Sequence, residues 1–258
     1  MDADELEDRI AAFPRWNYRI TFENGVTTPV PDHGQANRHE QRRRYFFDRL
    51  LHLAGGTLEG RRVLDLGCNA GLWSLNALEA GAAFVTGIDA RASFVQQAEL
   101  VFEAKGIDPS RFSFEHGNVF EHPIEGGYDV VLCLGVMEVT SRPVELFEIM
   151  TRTGAELIVI DTGVSRARSS FFEVDAITDP DAVVDYALAL VPTREAVVEL
   201  AAQFGLRAVE LEQNITDYAG LDDYRRGRRT AFICSSAVAL DSLPAAAARR
   251  PTLRLPGR

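Results

Sequence analysis

Cysteine is scarce in this sequence, with three residues in a chain of 258. An odd number offers no disulfide framework, and none of the spacings is that of a zinc site. Cys133 and Cys234 fall within predicted strands, and Cys68 falls within a glycine-rich turn. We therefore expect packing or turn roles for all three cysteines, and no metal site.

Long apolar runs are also missing. No segment approaches the roughly 20 apolar residues that a membrane-spanning helix requires. The first eight residues are acidic and lack the basic and apolar regions of a signal peptide. We therefore expect a cytoplasmic protein without membrane contact, and the chain is long enough to form one large α/β domain.

Positive charge is in the minority. Arg and Lys total 27 against 38 Asp and Glu, which gives a formal net charge of −11. This excess repels a phosphate backbone, so we do not expect nucleic acid as the main partner. Residues 42–44 and 225–229 are arginine clusters that depart from this balance. They are either solvated faces or, at Arg225 and Arg228, contacts for an anionic group of a substrate.

The pattern of predicted elements divides the chain into three parts. Residues 1–53 contain a hairpin signal at Asn24-Gly25 and a predicted helix over 39–53, but no repeating strand–helix unit. We predict that they form a cap. Residues 54–240 form the core domain, with a long irregular segment at 162–192 as a substrate-side insertion. Residues 241–258, rich in Ala, Arg and Pro, are predicted to be a flexible tail.

From residue 61 onward, strands alternate with helices, which predicts a doubly wound α/β fold with a mostly parallel sheet. The predicted strands cover residues 62–66, 84–89, 112–115, 129–134, 156–161, 207–211 and 230–235. The predicted helices cover residues 72–79, 93–104, 143–150 and 193–204. The strand at 129–134 is almost entirely apolar, which is typical of a strand buried on both faces.

A glycine-bearing turn follows the first strand, in the sequence VLDLGCNAG from Val63 to Gly71. Gly67 allows a sharp turn close to a ligand, and Gly71 permits close passage at the start of a helix. The Gly-x-x-x-Gly spacing differs from that of a dinucleotide site. Asp65 is unfavourable beside a pyrophosphate but favourable beside a cationic group. We therefore predict a ligand whose end near Asp65 is cationic.

The second strand ends in Asp89, about 20 residues beyond the glycine turn, where such folds place a carboxylate that holds both ribose hydroxyls. The alternative is an acidic residue in solvent at a strand end. Together with the glycine turn, its position favours the ribose contact.

These segments resemble the motifs of class I methyltransferases that depend on S-adenosyl-L-methionine (SAM). Val63–Gly71 is similar to their first motif, and Gly87-Ile88-Asp89 to their acidic second motif. Residues 117–119 are similar to the third motif, although many relatives have Asp where this chain has Asn118, and residues 128–135 to the fourth. The resemblance extends well over residues 61–161 and is specific for the cofactor rather than the substrate. Bacterial small-molecule methyltransferases and the tRNA wobble-uridine enzymes that use carboxy-SAM are similar in the cap and around residues 191–193.

The resemblance implies a seven-stranded sheet whose last strand is antiparallel and inserted before the sixth. SAM would lie across the carboxyl ends of the first, second and fourth strands, with S-adenosyl-L-homocysteine (SAH) as its product and no metal. The implied cofactor-binding residues are Asp65, Gly67, Cys68, Asn69, Gly71, Asp89, Ala90, Asn118, Val119, Leu134 and Gly135.

The catalytic residues are less evident. Relatives often carry an aromatic residue and a His after the fourth strand, but residues 135–143 contain no His, and Glu138 falls near that position. A general base is needed only if the acceptor loses a proton during attack. The catalytic candidates are Glu138 and His39, with Asp161 and His33 behind them, and a structural role is the alternative for each. The candidates for acceptor contact are Trp16, Tyr18, Tyr45, Asp161, Arg225 and Arg228.

The sequence thus predicts a SAM-dependent methyltransferase that modifies a small-molecule acceptor, at oxygen, in natural-product biosynthesis. One alternative is modification of the tRNA wobble uridine with SAM or carboxy-SAM. Another is a SAM-binding protein without methyl transfer, such as a regulator or a cyclisation catalyst, and an NAD-dependent oxidoreductase ranks fourth. The acceptor, the methylated atom and the oligomeric state stay open, with a homodimer as one alternative.

Overall fold

The computed structural model describes residues 1–30, 33–124, 126–178 and 187–246. Its nine strands are β1 (Arg62–Leu66), β2 (Phe84–Asp89), β3 (Phe112–His116), β4 (Val130–Leu134), β5 (Leu157–Gly163), β6 (Phe172–Ala176), β7 (Leu188–Pro192), β8 (Arg207–Glu210) and β9 (Arg229–Ser235). Seven of them form one sheet in the order β3-β2-β1-β4-β5-β9-β8. β1 to β5 are parallel, and β9 lies antiparallel between β5 and β8. The predicted fold and strand order are confirmed.

Eight α-helices accompany these strands in the described residues. They are α1 (Ala3–Ala11), α2 (His33–Arg42), α3 (Asp48–Leu53), α4 (Leu72–Glu79), α5 (Ala92–Ala104), α6 (Pro143–Arg152), α7 (Arg194–Gln203) and α8 (Asp222–Arg225). A π-helical turn, Arg43–Phe47, joins α2 to α3, so the helix predicted over 39–53 begins six residues earlier. Thr193 caps α7, because its Oγ1 accepts a hydrogen bond from the Ala196 N–H at 3.2 Å.

The sheet is covered on both faces. Val130 and Leu132 of β4 belong to one hydrophobic cluster, and Val131 and Cys133 belong to the other. This alternation follows from the period of two residues along a strand. All three cysteines are buried and unpaired, in agreement with the packing role expected for them.

The segment 162–192 is not irregular throughout, and that prediction was wrong. Residues 162 and 163 extend β5, and β6 pairs with β7 in an antiparallel hairpin. The Leu190 N–H donates to the Thr140 carbonyl at 2.9 Å, which joins the hairpin to the turn after β4. Most of β6 is exposed, and its sequence, FEVDA, alternates apolar and polar residues over only five positions, a short strand signal that the prediction overlooked. Residues 179–186 lie outside the described part of the chain.

The cap shares its core with the sheet. Leu6, Ile10 and Trp16 lie in the same hydrophobic cluster as Val63 and Val85. The predicted hairpin is present as a single bridge between residues 21 and 27. Near the C-terminus, the Glu212 N–H donates to the Pro244 carbonyl, so the first residues of the predicted tail pack against the core. Residues 247–258 lie outside the described part of the chain.

Candidate functional site

A cleft opens at the carboxyl ends of the parallel strands. It is lined by Tyr18, Gly67, Asn69, Ile88, Asp89, Ala90, Arg91, Asn118, Val119, Phe120, Leu134, Gly135, Val136, Val139, Thr140, Ser141 and Leu188. All the predicted cofactor-binding residues are among them except Asp65, Cys68 and Gly71. The cleft therefore occupies the edge of the sheet where ligands bind in open α/β folds.

The glycine turn forms one wall of the cleft. The backbone N–H groups of Gly67 and Cys68 both donate to the Ile88 carbonyl, at 2.8 and 3.0 Å, which fixes the turn between β1 and β2. Gly67 has φ +70°, and a Cβ atom there would lie 2.7 Å from Cγ2 of Val136. Asn69 has φ 51°, a left-handed conformation that Asn tolerates better than most residues. The turn therefore needs a glycine at position 67.

Gly71 and Cys68 serve packing instead. A Cβ atom on Gly71 would lie 3.1 Å from the Ala98 Cβ, so α4 can approach α5 closely only with glycine there. Cys68 is buried, and burial raises the pKa of its thiol well above the ordinary value. Neither residue lines the cleft, so their contact with the cofactor stays a prediction.

Asp89 is a buried carboxylate on the cleft wall. Its Oδ2 accepts the Asn69 N–H and its Oδ1 accepts the Arg91 N–H, both at 2.9 Å. Burial raises the pKa of Asp89, and these two hydrogen bonds partly offset that rise. A carboxylate has about four acceptor sites, so each oxygen retains one for a hydroxyl group of a ligand. This arrangement fits the two hydroxyls of a ribose.

Asp65 lies behind the cleft wall. It is 1% exposed, and its Oδ2 accepts a hydrogen bond from Ser74 Oγ at 2.8 Å. Burial raises the pKa of Asp65 to about 7, and the Ser74 hydrogen bond lowers it in part. No ion-pair partner for Asp65 occurs among the described residues. A nearby cationic group would favour its charged form.

A buried ionic network lies beneath the turn after β4. The carboxylate of Asp161 accepts hydrogen bonds from Arg42 Nη2 at 2.6 Å, Tyr224 Oη at 2.7 Å and Arg229 Nε at 3.2 Å. Burial alone would raise the pKa of Asp161, but the Arg229 and Arg42 guanidinium groups outweigh it and hold that pKa below its ordinary value. Arg229 also pairs with Glu138. The network therefore links the cap helix α2 to β5, to β9 and to the turn after β4.

The two catalytic candidates do not line the cleft. Glu138 points to Arg229, and its buried Oε2 has no hydrogen-bond partner among the described residues. His39 Nε2 lies 3.0 Å from the Asn17 carbonyl, which can only accept, so Nε2 carries the proton. The buried Nδ1 has no partner in the part of the chain that the structure describes. Burial and the nearby Arg42 lower the pKa of His39 to about 3. The catalytic roles of both residues stay predictions, and the side chain of His33 lies outside the described part.

Of the six residues predicted to contact an acceptor, only Tyr18 lines the cleft. The Trp16 indole donates to the Ile10 carbonyl at 3.1 Å, and the Tyr45 hydroxyl donates to the Leu211 carbonyl at 3.0 Å. Arg225 pairs with Asp222 on the surface, and Arg228 is exposed. Their contact with an acceptor stays a prediction, since none of these four side chains reaches the cleft wall in this structure.

The sequence did not predict two residues of the cleft wall, Val139 and Leu188, or the burial of Arg229. Val139 and Leu188 line the cleft, but Val139 lies in the turn after β4 and Leu188 begins the second strand of the unpredicted hairpin. Arg229 belongs to the arginine cluster at 225–229, which was the available signal. The sequence pattern did not show which arginine turns inward.

Among the described residues, no group of three or more His, Cys, Asp and Glu side chains is arranged to hold a metal ion. No helix in the same residues is long and apolar enough to cross a bilayer.

Comparison with known proteins gives matches in sequence. Residues 63–154 match a family model described as a methyltransferase domain. A tRNA U34 carboxymethyltransferase of Citrifermentans bemidjiense is 31% identical over 176 residues, which cover 67% of this chain and 51% of that protein. The mitochondrial ubiquinone biosynthesis O-methyltransferase of Schizosaccharomyces pombe is 27% identical over 133 residues, 46% of this chain and 48% of that protein. The chain thus spans about half the length of these curated relatives.

Solved structures match most of the chain. The N-terminal domain of EvdMO1, crystallised in the presence of SAH and D-fucose, has a TM-score of 0.68 at 16% identity and covers 93% of this chain and 98% of that one. The [4+2]-cyclase SpnF has a TM-score of 0.55 at 17% identity and covers 92% and 93%. At such identities these matches establish the fold. With the sheet order, the glycine turn and the family match in agreement, residues 63–154 belong to a methyltransferase domain that has the fold of the class I SAM-dependent methyltransferases.

Proposed function

We propose that this chain transfers a methyl group from SAM to a small-molecule acceptor, at an oxygen atom. The observation that carries the proposal is Asp89, a buried carboxylate beside the glycine turn with an acceptor site left on each oxygen. SAM, when bound, supplies a methyl group attached to a sulfonium. Structural neighbours that were solved with SAH or SAM support this cofactor.

In this proposal different cleft residues bind different parts of the cofactor. Asp89 holds the ribose hydroxyls, Ala90, Asn118 and Val119 surround the adenine, and the strand-end residues Leu134 and Gly135 contact the remainder. Asp65 supplies negative charge from behind the wall to the cationic end of the ligand.

Methyl transfer is a displacement in which the carbon–sulfur bond breaks as the carbon–oxygen bond forms. Alignment of the two reactants supplies most of the rate in such a reaction. The hydroxyl proton of the acceptor leaves to solvent or to a base, for which Glu138 and His39 are the candidates although neither lines the cleft.

Two observations support a small acceptor, methylation at oxygen and a role in natural-product biosynthesis. They are the similarity to known proteins and the net charge of the chain. One relative is an O-methyltransferase, and the EvdMO1 domain was crystallised with a sugar. The net charge of −11 favours a small acceptor over a polynucleotide. We also propose a cytoplasmic location.

A second candidate is tRNA modification, because several matched relatives are tRNA U34 carboxymethyltransferases. It requires carboxy-SAM or SAM as donor and binding that weakens steeply with salt. A third, SAM binding without methyl transfer, is supported by the similarity to a cyclase.

Calorimetric titration with SAM, SAH, carboxy-SAM and NAD tests the proposal. We expect SAM and SAH to bind, and Asp89→Ala to weaken both by about 100-fold, since each hydrogen bond to a charged group contributes about 1.5–3 kcal/mol. Asp175→Ala, on the exposed face of β6, is the control and should bind normally. Binding of NAD alone would contradict the proposal, and a preference for carboxy-SAM would favour tRNA modification.

A further inference from the structure

The wall of the cleft opposite β2 is built from uncharged side chains. It consists of Val136, Val139, Thr140 and Ser141 after β4, Leu188 of β7 and Tyr18 of the cap. Val139 and Leu188 are apolar, yet 41% and 37% exposed. Apolar side chains exposed around a cleft are typical of a ligand-binding surface.

Glu138 and Arg142 adjoin this wall in the chain but do not line the cleft, although Arg142 stacks on the ring of Phe120, which does. Glu138 precedes Val139 in the chain, but its carboxylate pairs with Arg229 beneath the strand ends. Arg142 donates to both carboxylate oxygens of Glu145, at 2.7 and 2.6 Å. Within the described residues, the only charged side chains that line the cleft are Asp89 and Arg91, which follow β2.

Tyr18 is the contribution of the cap to the cleft. Its hydroxyl has no hydrogen-bond partner among the described residues, and its ring packs edge-on against His39, with 4.5 Å between the ring centroids. The backbone on both sides is anchored, since Gln97 Nε2 donates to the Arg15 carbonyl at 2.6 Å and Lys105 Nζ to the Thr21 carbonyl at 3.0 Å. Burial raises the pKa of Tyr18 to about 12, so the hydroxyl stays a neutral donor. The side chain is therefore held over the cleft with its polar group available.

We propose that the acceptor is an uncharged small molecule with a hydroxyl group and an apolar body, the hydroxyl bound by Tyr18 and the apolar body packed on Val139 and Leu188. This inference rests on the proposed methyltransferase function and specifies its substrate class. An anionic acceptor would lose its hydration at this wall without gaining a cationic partner on it, which is unfavourable, since the cation that lines the cleft, Arg91, follows β2 on the opposite side. The wall thus selects against charge.

Turnover of matched acceptor pairs tests the proposal. Each pair is a phenol with a methyl ester and the same phenol with a free carboxylate, for example methyl 4-hydroxybenzoate and 4-hydroxybenzoate, assayed with labelled SAM. We expect kcat/KM to be at least about tenfold higher for the ester, the ratio that 1.4 kcal/mol gives. Leu188→Arg places a cation on the wall and should reduce this preference by a similar factor.

Val174→Arg is the matched control. Val174 lies on the same hairpin, is 70% exposed and does not line the cleft, so the same added charge should leave the preference unchanged. Tyr18→Phe should raise KM for the ester about tenfold with an unchanged affinity for SAM, because only a hydrogen bond to the acceptor is lost. A merely structural tyrosine would lower the melting temperature instead and leave KM alone.

The outcomes distinguish failure of the acceptor assignment from failure of the proposed methyltransferase function. Absence of SAM binding would contradict the methyltransferase function itself. Three outcomes would overturn only the assignment of an uncharged acceptor, provided that SAM binds. They are a preference for the carboxylates, an unchanged preference in Leu188→Arg, and no methylation of any pair.

Discussion

Burial changes the pKa of single side chains in this fold, and the change makes the stability of the fold depend on pH. Asp65 has a pKa of about 7 in the folded chain, against roughly 3.9 in an unfolded chain. Between these values the folded chain binds a proton that the unfolded chain has released. The stability that this group contributes therefore falls as the pH rises from about 4 to 7.

We predict that Asp65→Asn raises the free energy of unfolding at pH 7.5 by about 2 kcal/mol, because a buried charge is no longer required. Its stability should also depend less on pH between 4 and 7. Urea denaturation of the cofactor-free protein at pH 5 and pH 7.5 measures both effects, and calorimetry should show weaker SAM binding. Asp175→Asn, which is exposed, is the control; an equal pH dependence in wild type and Asp65→Asn would refute the assignment.

Gly67 and Gly205 form a matched pair for testing the glycine turn. Their φ angles are +70° and +72°, but only at Gly67 would a Cβ atom meet a neighbour, Val136. Both Ala variants should lose about 1 kcal/mol of stability to backbone strain. We predict that only Gly67→Ala weakens SAM binding, by at least about tenfold. Titration of the two variants with SAM measures this, and equal affinities would argue against the turn as part of the cofactor site.

At the scale of elements, the network around Asp161 holds the cap helix against the sheet. Asp161→Ala leaves the guanidinium groups of Arg42 and Arg229 buried without their shared carboxylate. We predict a loss of about 3–5 kcal/mol in the free energy of unfolding, measured by urea denaturation. Arg225→Ala removes an exposed ion pair with Asp222 and should cost under about 0.5 kcal/mol. Similar losses in the two variants would show that burial of the network matters little.

The same network gives the fold a defined response to acid. The pKa of Asp161 lies below its ordinary value, so its stabilising contribution is complete above the unfolded-state pKa near 4. That contribution is lost as the pH falls through the folded-state pKa.

The sequence predicts an element well when neighbouring residues determine it, and poorly when residues far apart in the chain do. The bounds of β1, β2 and α4 agree with the sequence prediction, because buried strands, glycine turns and helix periodicity are all written in neighbouring residues. The β6–β7 hairpin was missed because the apolar–polar alternation of β6 extends over only five residues. The ion pairs of Asp161 and Glu138 join positions far apart in the chain, so neither could be derived from local pattern. The cleft residues around the glycine turn were therefore largely predictable, whereas Val139 and Leu188 were not.

At the scale of the whole molecule, charge distinguishes the candidate functions. The net charge of −11 disfavours a long phosphate backbone. We predict that unmodified tRNA at 150 mM salt neither binds with a Kd below about 10⁻⁶ M nor is modified with carboxy-SAM as donor. Filter binding and nucleoside analysis after digestion measure the two quantities. Sub-micromolar binding with a steep salt dependence would move the function towards tRNA.

The position of β9 between β5 and β8 has a consequence for synthesis of the chain on the ribosome. About 65 residues separate the end of β5 from the start of β9. At roughly 5–20 residues per second, the edge of β5 stays unpaired for several seconds after it has been made. During that interval the emerging chain presents an open strand edge and an Asp161 that lacks Tyr224 and Arg229. Nascent chains stalled before β9 should therefore bind chaperones, and those that extend past it should not.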